Sequence, residues 1–229
     1  MISDYEKNNH RISIPSYSLG EELINSISHG IGAGLGIAGL VLMIIQSVCS
    51  GIDVAWKVVS SCIFGATIII LYLMSCLYHA LKVNMAKRVF RVFDHCTIFL
   101  LIAGTYTPFT LVSLRSVKPW LGWTLFGAIW AIAIIGIVLN AVNLKKYAKA
   151  SVVCYLLMGW MVILAYRSMT QAIAPGGISL LIWGGVVYSV GALVYAIGSR
   201  RKYFHSIFHF FCIGGTVLHF FSIYAYVLA

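Results

Sequence analysis

The sequence predicts an all-α membrane protein, a bundle of seven transmembrane helices with its N-terminus in the cytoplasm and its C-terminus outside. Three observations lead to this prediction. Of the 229 residues, 61% are hydrophobic and only 10% are charged, whereas a soluble domain carries about 25% charged residues. The apolar residues form seven runs of roughly the 20 residues that a helix needs to cross a bilayer. The basic residues are distributed unequally between these runs, which indicates an orientation.

Glycine, proline or charged residues bound most of the apolar runs, so the limits of the spans can be read from the sequence. A polar segment, residues 1–22, precedes the first run and is expected to lie in the cytoplasm. Residues 23–229 are expected to form a single transmembrane domain, because the gaps between runs are too short for a soluble domain. The predicted spans cover about 24–48, 55–80, 89–113, 119–140, 148–166, 177–198 and 205–228.

The orientation follows from the Lys and Arg residues near the ends of the spans, because cytoplasmic loops are enriched in them. The N-terminus and the loops after spans 2, 4 and 6 hold 12 of the 16 Lys and Arg residues, and the other side holds 4. The N-terminus is therefore expected inside. The formal net charge of +10 is explained by this topology, and no nucleic-acid partner is expected.

Span 1 contains two glycine pairs, Gly30/Gly34 and Gly32/Gly36. This small-xxx-small spacing lets the backbones of two helices approach closely. Packing against a neighbouring span of the same chain is the simpler interpretation. An oligomer formed through the glycines of span 1 is the alternative.

Asp94 is the only acidic residue inside an apolar run, and it lies near the cytoplasmic start of span 3. Ionisable groups at membrane depth are energetically costly and usually mark a functional site. One interpretation of Asp94 is a salt bridge to the nearby Arg88 or Arg91. The other is a functional site that Asp94 shares with histidines at the same depth.

Three histidines are expected at that depth on two spans. His205 and His209, at the start of span 7, are four residues apart and share one helix face, so they can bind one metal ion together. His79 ends span 2, which also places it near the cytoplasm. Three neutral imidazoles leave the fourth tetrahedral position of Zn²⁺ open, which is typical of a catalytic zinc site.

Other polar side chains are expected beside this cluster. Asp94 would hold a water molecule at the open metal position. Ser75 lies one helical turn before His79 on the same face, where its hydroxyl would reach the same water or a substrate oxygen. His29 and Asn25, one turn apart in span 1, are expected behind the metal ligands, in contact with lipid headgroups, or in helix packing.

Two more histidines are not assigned to the site. His95 follows Asp94 by about 100° around the helix, so it is expected to point elsewhere. His219 lies ten residues deeper than His209 and is assigned to packing or to a hydrogen bond within span 7.

Four segments of the sequence resemble the bacterial hemolysin III proteins, which belong to the progestin and adipoQ receptor family, within a superfamily that includes alkaline ceramidases. The resemblance covers essentially the whole chain after residue 16. It implies a seven-helix protein of the bacterial inner membrane, with the N-terminus in the cytoplasm. It also implies zinc bound by His79, His205 and His209, with Asp94 and Ser75 beside the metal water. The segments are residues 21–30, 75–79, 93–95 with 103–109, and 205–209.

The leading hypothesis from the sequence is a zinc-dependent, ceramidase-like hydrolase that cleaves the amide bond of a lipid. Asp94 would move the proton, and Ser75 would assist the developing oxyanion. The alternative is a non-catalytic sensor of the membrane or a receptor-like protein, in which zinc joins spans 2, 3 and 7. A cytolytic pore is disfavoured, because the polar groups cluster at one end of the spans. A membrane lipid is thus the expected partner, as substrate or ligand.

Overall fold

The computed structural model describes residue 12, residues 14–198 and residues 201–229. Within these residues the ordered secondary structure is helical, with no β-strand. A π-helical segment, Phe109–Leu114, continues the third helix, and a 3₁₀ segment, Met161–Ala165, follows the fifth. The α-helices are α1 (Leu19–Cys49), α2 (Val54–Ala80), α3 (Met85–Pro108), α4 (Arg115–Val117), α5 (Pro119–Gly159), α6 (Tyr166–Ala172), α7 (Pro175–Gly198) and α8 (Phe204–Tyr226).

Six helical segments of the described chain are long and apolar enough to cross a membrane. Large apolar side chains cover their outer faces, as Ile27, Ile31 and Leu35 do on α1, and such a surface suits lipid as the solvent. The prediction of an all-α membrane protein is therefore confirmed. The number of segments differs from the predicted seven, because predicted spans 4 and 5 both fall within Pro119–Ala172.

The long helix α5 is interrupted at Asn143, whose backbone angles (φ −157°, ψ 86°) are not helical. Hydrogen bonds join the two sides of this interruption. The Ser151 hydroxyl donates to Oδ1 of Asn140 at 2.7 Å, and the amide nitrogen of Asn140 donates to the Tyr155 hydroxyl at 3.3 Å. In a straight helix, residues 140 and 155 would lie about 22 Å apart. The chain therefore bends back sharply at Asn143, and the two parts of α5 meet beside the bend.

Helix α1 begins before the first apolar run, because a capping box closes its N-terminus. The Ser18 side chain accepts a hydrogen bond from the Glu21 backbone N–H, and the Glu21 carboxylate accepts one from the Ser18 backbone N–H at 2.9 Å. This arrangement satisfies two backbone donors that the helix leaves unpaired. As a result, Glu21 and Glu22 lie in the first turn of α1, although the sequence pattern assigned them to the polar N-terminal segment.

Two glycines of α1 pack closely against α2. A Cβ atom at Gly32 would lie 3.0 Å from Cγ of Tyr72, and one at Gly36 would lie 2.7 Å from Cγ2 of Ile68. Packing within the chain therefore uses this glycine face. At Gly34 a Cβ atom would have no neighbour within 4 Å in the described part of the chain. An oligomer formed through span 1 stays a prediction.

The termini of the helices define two ends of the bundle. We call one the histidine end, where Glu22 at the start of α1, His79 at the end of α2 and His205 at the start of α8 come together. At the opposite end, the ammonium group of Lys57 donates to the backbone oxygens of Leu228 and Ala229 at 3.0 and 3.1 Å. Helix α2 thus runs antiparallel to α1 and α8.

Candidate metal centre

Three histidine side chains from two helices converge at the histidine end. The Nε2 atoms of His79 and His205 are 3.2 Å apart, and those of His205 and His209 are also 3.2 Å apart. Each of the three residues offers one nitrogen, and these nitrogens lie within 4.8 Å of one another. The four-residue spacing on α8 places His205 and His209 on one helix face. His79, near the end of α2, lies against that face.

The geometry of this cluster fits a bound metal ion. A neutral imidazole has one N–H group and one nitrogen lone pair. Hydrogen bonds between the rings cannot pair all three Nε2 atoms, so nitrogen lone pairs would face and repel one another at short range. A metal cation bound between them removes that repulsion. His79 and His209 are only 2% and 1% exposed, so water has little access to satisfy these nitrogens instead. The three histidines could therefore hold a metal ion.

Glu22 contacts His79 at Nδ1, the ring nitrogen that points away from the other two histidines. This role was not predicted from the sequence. Its Oε2 atom accepts a hydrogen bond from Nδ1 of His79 at 2.7 Å. Its Oε1 atom accepts one from the Lys87 ammonium group at 2.6 Å, and Lys87 also donates to the Leu81 carbonyl at 2.9 Å. The available signal was the spacing of Glu22 and Asn25, three residues apart in a helix and thus on one face.

Asn25 and His29 both lie against the histidine cluster, which agrees with the first of the positions expected for them. The amide nitrogen of Asn25 is 3.4 Å from Nδ1 of His79. The ring of His29 stacks on His209, with centroids 3.7 Å apart and 18° between the planes. Neither ring nitrogen of His29 has a hydrogen-bond partner among the described residues, so this imidazole is left free to bond a ligand.

Ser75 and Asp94 line a cavity of about 170 Å³, and His205 and His209 line it too. The Ser75 hydroxyl is buried and has no hydrogen-bond partner in the described part of the chain. None of the ion pairs formed by the described residues includes Asp94. The salt bridge to Arg88 or Arg91 is thus not formed, and the carboxylate remains available to a ligand.

The remainder of the cavity is mostly apolar. Its lining extends from Asp94 in α3 to Phe109 at the start of the π-helical segment, a distance of about 22 Å at 1.5 Å per residue. His95 belongs to this lining, so the expectation that it points away from the site is wrong. His219 also belongs to it, and its Nε2 atom bonds to the Leu181 carbonyl of α7 at 3.1 Å. That contact joins two helices, whereas packing or a hydrogen bond within span 7 was expected.

Tyr17, just before α1, packs on the cluster. Its ring stacks on His205, with centroids 5.0 Å apart and 17° between the planes, and its centroid lies 5.6 Å from that of His79. Burial raises the pKa of the Tyr17 phenol well above its usual range, so the side chain is neutral at physiological pH. The sequence pattern contains no signal for this contact, because Tyr17 belongs to a non-helical polar segment.

Comparison with known proteins identifies the family. Residues 17–220 match the family described as Haemolysin-III related. The chain belongs to the haemolysin III family. It is 41% identical over 208 residues to Hemolysin-3 of Bacillus cereus, covering 91% of this chain and 92% of that protein. It is 39% identical over 210 residues to the Hemolysin-3 homolog of Bacillus subtilis (strain 168), covering 92% and 96%.

Family membership confirms the resemblance that four sequence segments indicated. The haemolysin III match and the six apolar helices together identify a multi-pass protein of the bacterial cell membrane. In this haemolysin III protein, every candidate site residue predicted from the sequence lies in the histidine cluster, against it or in the adjoining cavity. Those residues are His79, His205, His209, Asp94, Ser75, His29 and Asn25.

Proposed function

We propose that this haemolysin III protein is a zinc-dependent hydrolase that cleaves the amide bond of a membrane lipid, as ceramidases do. One observation carries the proposal. The histidine cluster borders an elongated apolar cavity. The same cavity holds the Ser75 hydroxyl, which has no hydrogen-bond partner among the described residues, and the Asp94 carboxylate, which takes part in none of their ion pairs. A potential metal site beside an acid, a hydroxyl and a space for hydrocarbon has the components that hydrolysis of a lipid requires.

Zn²⁺ is the metal that we propose for His79, His205 and His209. Zinc binds imidazole nitrogen at about 2.0–2.1 Å, and tetrahedral geometry then separates two ligand nitrogens by about 3.3 Å. The two separations of 3.2 Å in the cluster agree with this value. Three histidines with a fourth position left open are typical of catalytic zinc. When bound there, the ion would polarise the carbonyl group and make water reactive near neutral pH.

The side chains of the protein would carry out the proton transfers and charge stabilisation. Asp94 would accept a proton from the attacking water and then deliver it to the departing nitrogen as the C–N bond breaks. The Ser75 hydroxyl would donate a hydrogen bond to the carbonyl oxygen as negative charge develops on it. One water is consumed, and the products are a carboxylic acid and an amine.

The shape of the cavity supports a lipid substrate. Its mostly apolar lining suits a hydrocarbon chain, and Ser75, Asp94, His205 and His209 line it at the histidine end, where an amide group would lie. Its volume of about 170 Å³ is below the roughly 300–1,000 Å³ of most small-molecule sites. The cavity would therefore hold part of one acyl chain, with the remainder of the lipid between the helices and the bilayer.

A hydrolysis assay tests this function. The purified, zinc-loaded protein is expected to release free fatty acid from a long-chain ceramide in mixed micelles, measured by mass spectrometry. A protein that binds one zinc ion per chain yet cleaves neither ceramide nor any other N-acyl lipid would contradict the proposed reaction. Such a result would favour the sensor, in which metal only joins the helices. Leakage of vesicles in proportion to added pure protein would instead favour a cytolytic activity.

We also propose that the chain crosses the membrane seven times, with its N-terminus in the cytoplasm. The sharp bend at Asn143 supports dividing α5 into two spans. Tyr155, beyond the bend, donates to the carbonyl of His95, the neighbour of Asp94 in α3, at 2.7 Å, so the bend lies near the histidine end. The positive-inside rule supports a cytoplasmic histidine end. Basic residues near it are Lys82, Lys87, Arg88, Arg91, Lys145, Lys146, Lys149, Arg201 and Lys202.

Reporter fusions test this topology. A fluorescent protein fused to the N-terminus is expected to fluoresce in intact cells, because that terminus would lie in the cytoplasm. Fused to the C-terminus, alkaline phosphatase is expected to be active, because this enzyme matures only outside the cytoplasm. Fluorescence from both fused termini would indicate an even number of spans and would contradict the seven-span arrangement.

A further inference from the structure

We infer that Glu22 is a positioning residue for the metal centre: its carboxylate sets the tautomer and the orientation of His79, and Lys87 holds that carboxylate in place. This role goes beyond the ligands proposed above. It rests on the proposed metal centre and is independent of the lipid reaction.

The contact between Glu22 and His79 determines which nitrogen of the imidazole can bind a metal. A neutral imidazole carries its proton on one nitrogen and a lone pair on the other. A carboxylate accepts hydrogen bonds only, and Oε2 of Glu22 lies 2.7 Å from Nδ1 of His79. The proton therefore resides on Nδ1, and the lone pair of Nε2 faces His205. Carboxylates that hold ligand histidines in this way orient the ring and raise its basicity.

His79 needs such an anchor more than the other two histidines do. His205 and His209 lie on one helix, four residues apart, so the helix itself sets their relative position. His79 comes from a different helix. The Nδ1 atoms of His205 and His209 have no hydrogen-bond partner in the described part of the chain. Among the described residues, a charged group thus holds the far nitrogen of the His79 ring but not those of the His205 and His209 rings.

Lys87 explains why the Glu22 carboxylate is fixed in this position. The side chain of Lys87 is 2% exposed, and its ammonium group is 2.6 Å from Oε1 of Glu22. A buried charge is costly unless it is paired and hydrogen-bonded, and Lys87 meets both conditions by also donating to the Leu81 carbonyl. One carboxylate oxygen of Glu22 accepts a hydrogen bond from Lys87, and the other accepts one from His79. The chain of contacts connects α1, α2 and α3 at the centre.

Glu21, the acidic residue next to Glu22, makes different contacts and therefore serves as a matched control. Glu21 accepts hydrogen bonds from Ser18 and, at 2.7 Å, from the Tyr203 backbone N–H. It has no hydrogen bond to the histidines. The same substitution at two adjacent residues therefore separates loss of a helix cap from loss of the anchor of His79.

Metal affinity tests the inference. The Glu22→Gln variant is expected to bind Zn²⁺ about 10–100-fold more weakly than wild type, the range seen when groups behind metal ligands are changed. A competing fluorescent chelator measures the dissociation constant. The visible absorption bands of the Co²⁺-loaded variant are also expected to shift, because the orientation of one ligand changes. Glu21→Gln is expected to lower the unfolding temperature and to leave both the affinity and the Co²⁺ spectrum unchanged.

A second pair of variants covers the case in which Glu22→Gln does not fold. Glu22→Asp retains the charge with a shorter reach, so its affinity is expected to lie between those of Glu22→Gln and wild type, while Glu21→Asp binds as wild type does. Equal affinities and spectra in the Glu22 and Glu21 variants would overturn the positioning role. A wild type that binds no metal would overturn both the centre and this role. A wild type that binds metal but cleaves no lipid would overturn the reaction alone.

Discussion

Replacing His209 by alanine is expected to remove the metal ion from the purified protein. His209 is nearly fully buried, and its Nε2 atom lies 3.2 Å from that of His205. Its loss would leave two imidazoles from different helices, too few to hold zinc against competition by water. The affinity is expected to fall by more than about 100-fold, since changes to groups behind the ligands already cost 10–100-fold. Metal analysis after dialysis is expected to find about one ion per wild-type chain and almost none in the variant.

His219→Ala is the matched control for this experiment. His219 lies on the same helix and is also buried, but its Nε2 atom bonds to the Leu181 carbonyl and lies outside the histidine cluster. This variant is expected to retain the metal, and His79→Ala is expected to lose it. Retention of the ion by both His79→Ala and His209→Ala would mean that the three histidines do not form the metal site, and the proposed mechanism would then have no basis.

The Asp94→Asn variant is expected to lose catalysis while it retains metal. Asparagine has nearly the same shape as aspartate but cannot accept a proton, so the general acid–base step would fail. Such a step contributes roughly 10²–10⁴-fold to a rate, and the turnover number for ceramide is expected to fall by this amount. Fatty-acid release at saturating substrate measures the turnover number, and metal analysis of the same sample shows whether the site is intact.

Asp53→Asn provides the control with the same chemical change. Asp53 lies at the opposite end of the bundle, where its carboxylate accepts a hydrogen bond from Arg115 at 3.0 Å, so this variant is expected to hydrolyse lipid at the wild-type rate. An Asp94→Asn protein that matched wild type in the assay would rule out Asp94 as the proton carrier. If a growth or membrane-order phenotype also survived Asp94→Asn and was lost with His79→Ala, the sensor with structural metal would be favoured.

Most of the helices could be predicted from the sequence, because hydropathy is a local property. Five predicted spans coincide with separate apolar helices, and the two remaining spans lie on either side of the bend at Asn143. The start of α1 was predicted less well. Its first turn contains the charged residues Glu21 and Glu22, so hydropathy alone does not assign this turn to a helix. The capping box formed by Ser18 and Glu21 shows that the helix begins there.

The histidines of the candidate site could also be predicted, because spacing and membrane depth are sufficient to bring them together. His205 and His209 share a helix face, and the alternation of span direction places His79 at their end of the bundle. The same reasoning failed for His95, since angular position on an isolated helix does not show how a cavity curves around it. It also gave no role to Tyr17, which lies outside the helices and packs on His205.

The sequence by itself determined that this is an all-α protein of a membrane, that it belongs with the haemolysin III proteins, and that three histidines and Asp94 come together at one end of the helices. Composition, spacing and motif are properties of neighbouring residues, so they need no knowledge of packing. Only the tertiary structure decided that Glu22 anchors on His79 through a 2.7 Å hydrogen bond, that Lys87 pairs with Glu22, and that Asp94 forms no ion pair in the described chain. Those contacts join residues distant in sequence, and which charges meet is settled when the helices pack and water is excluded.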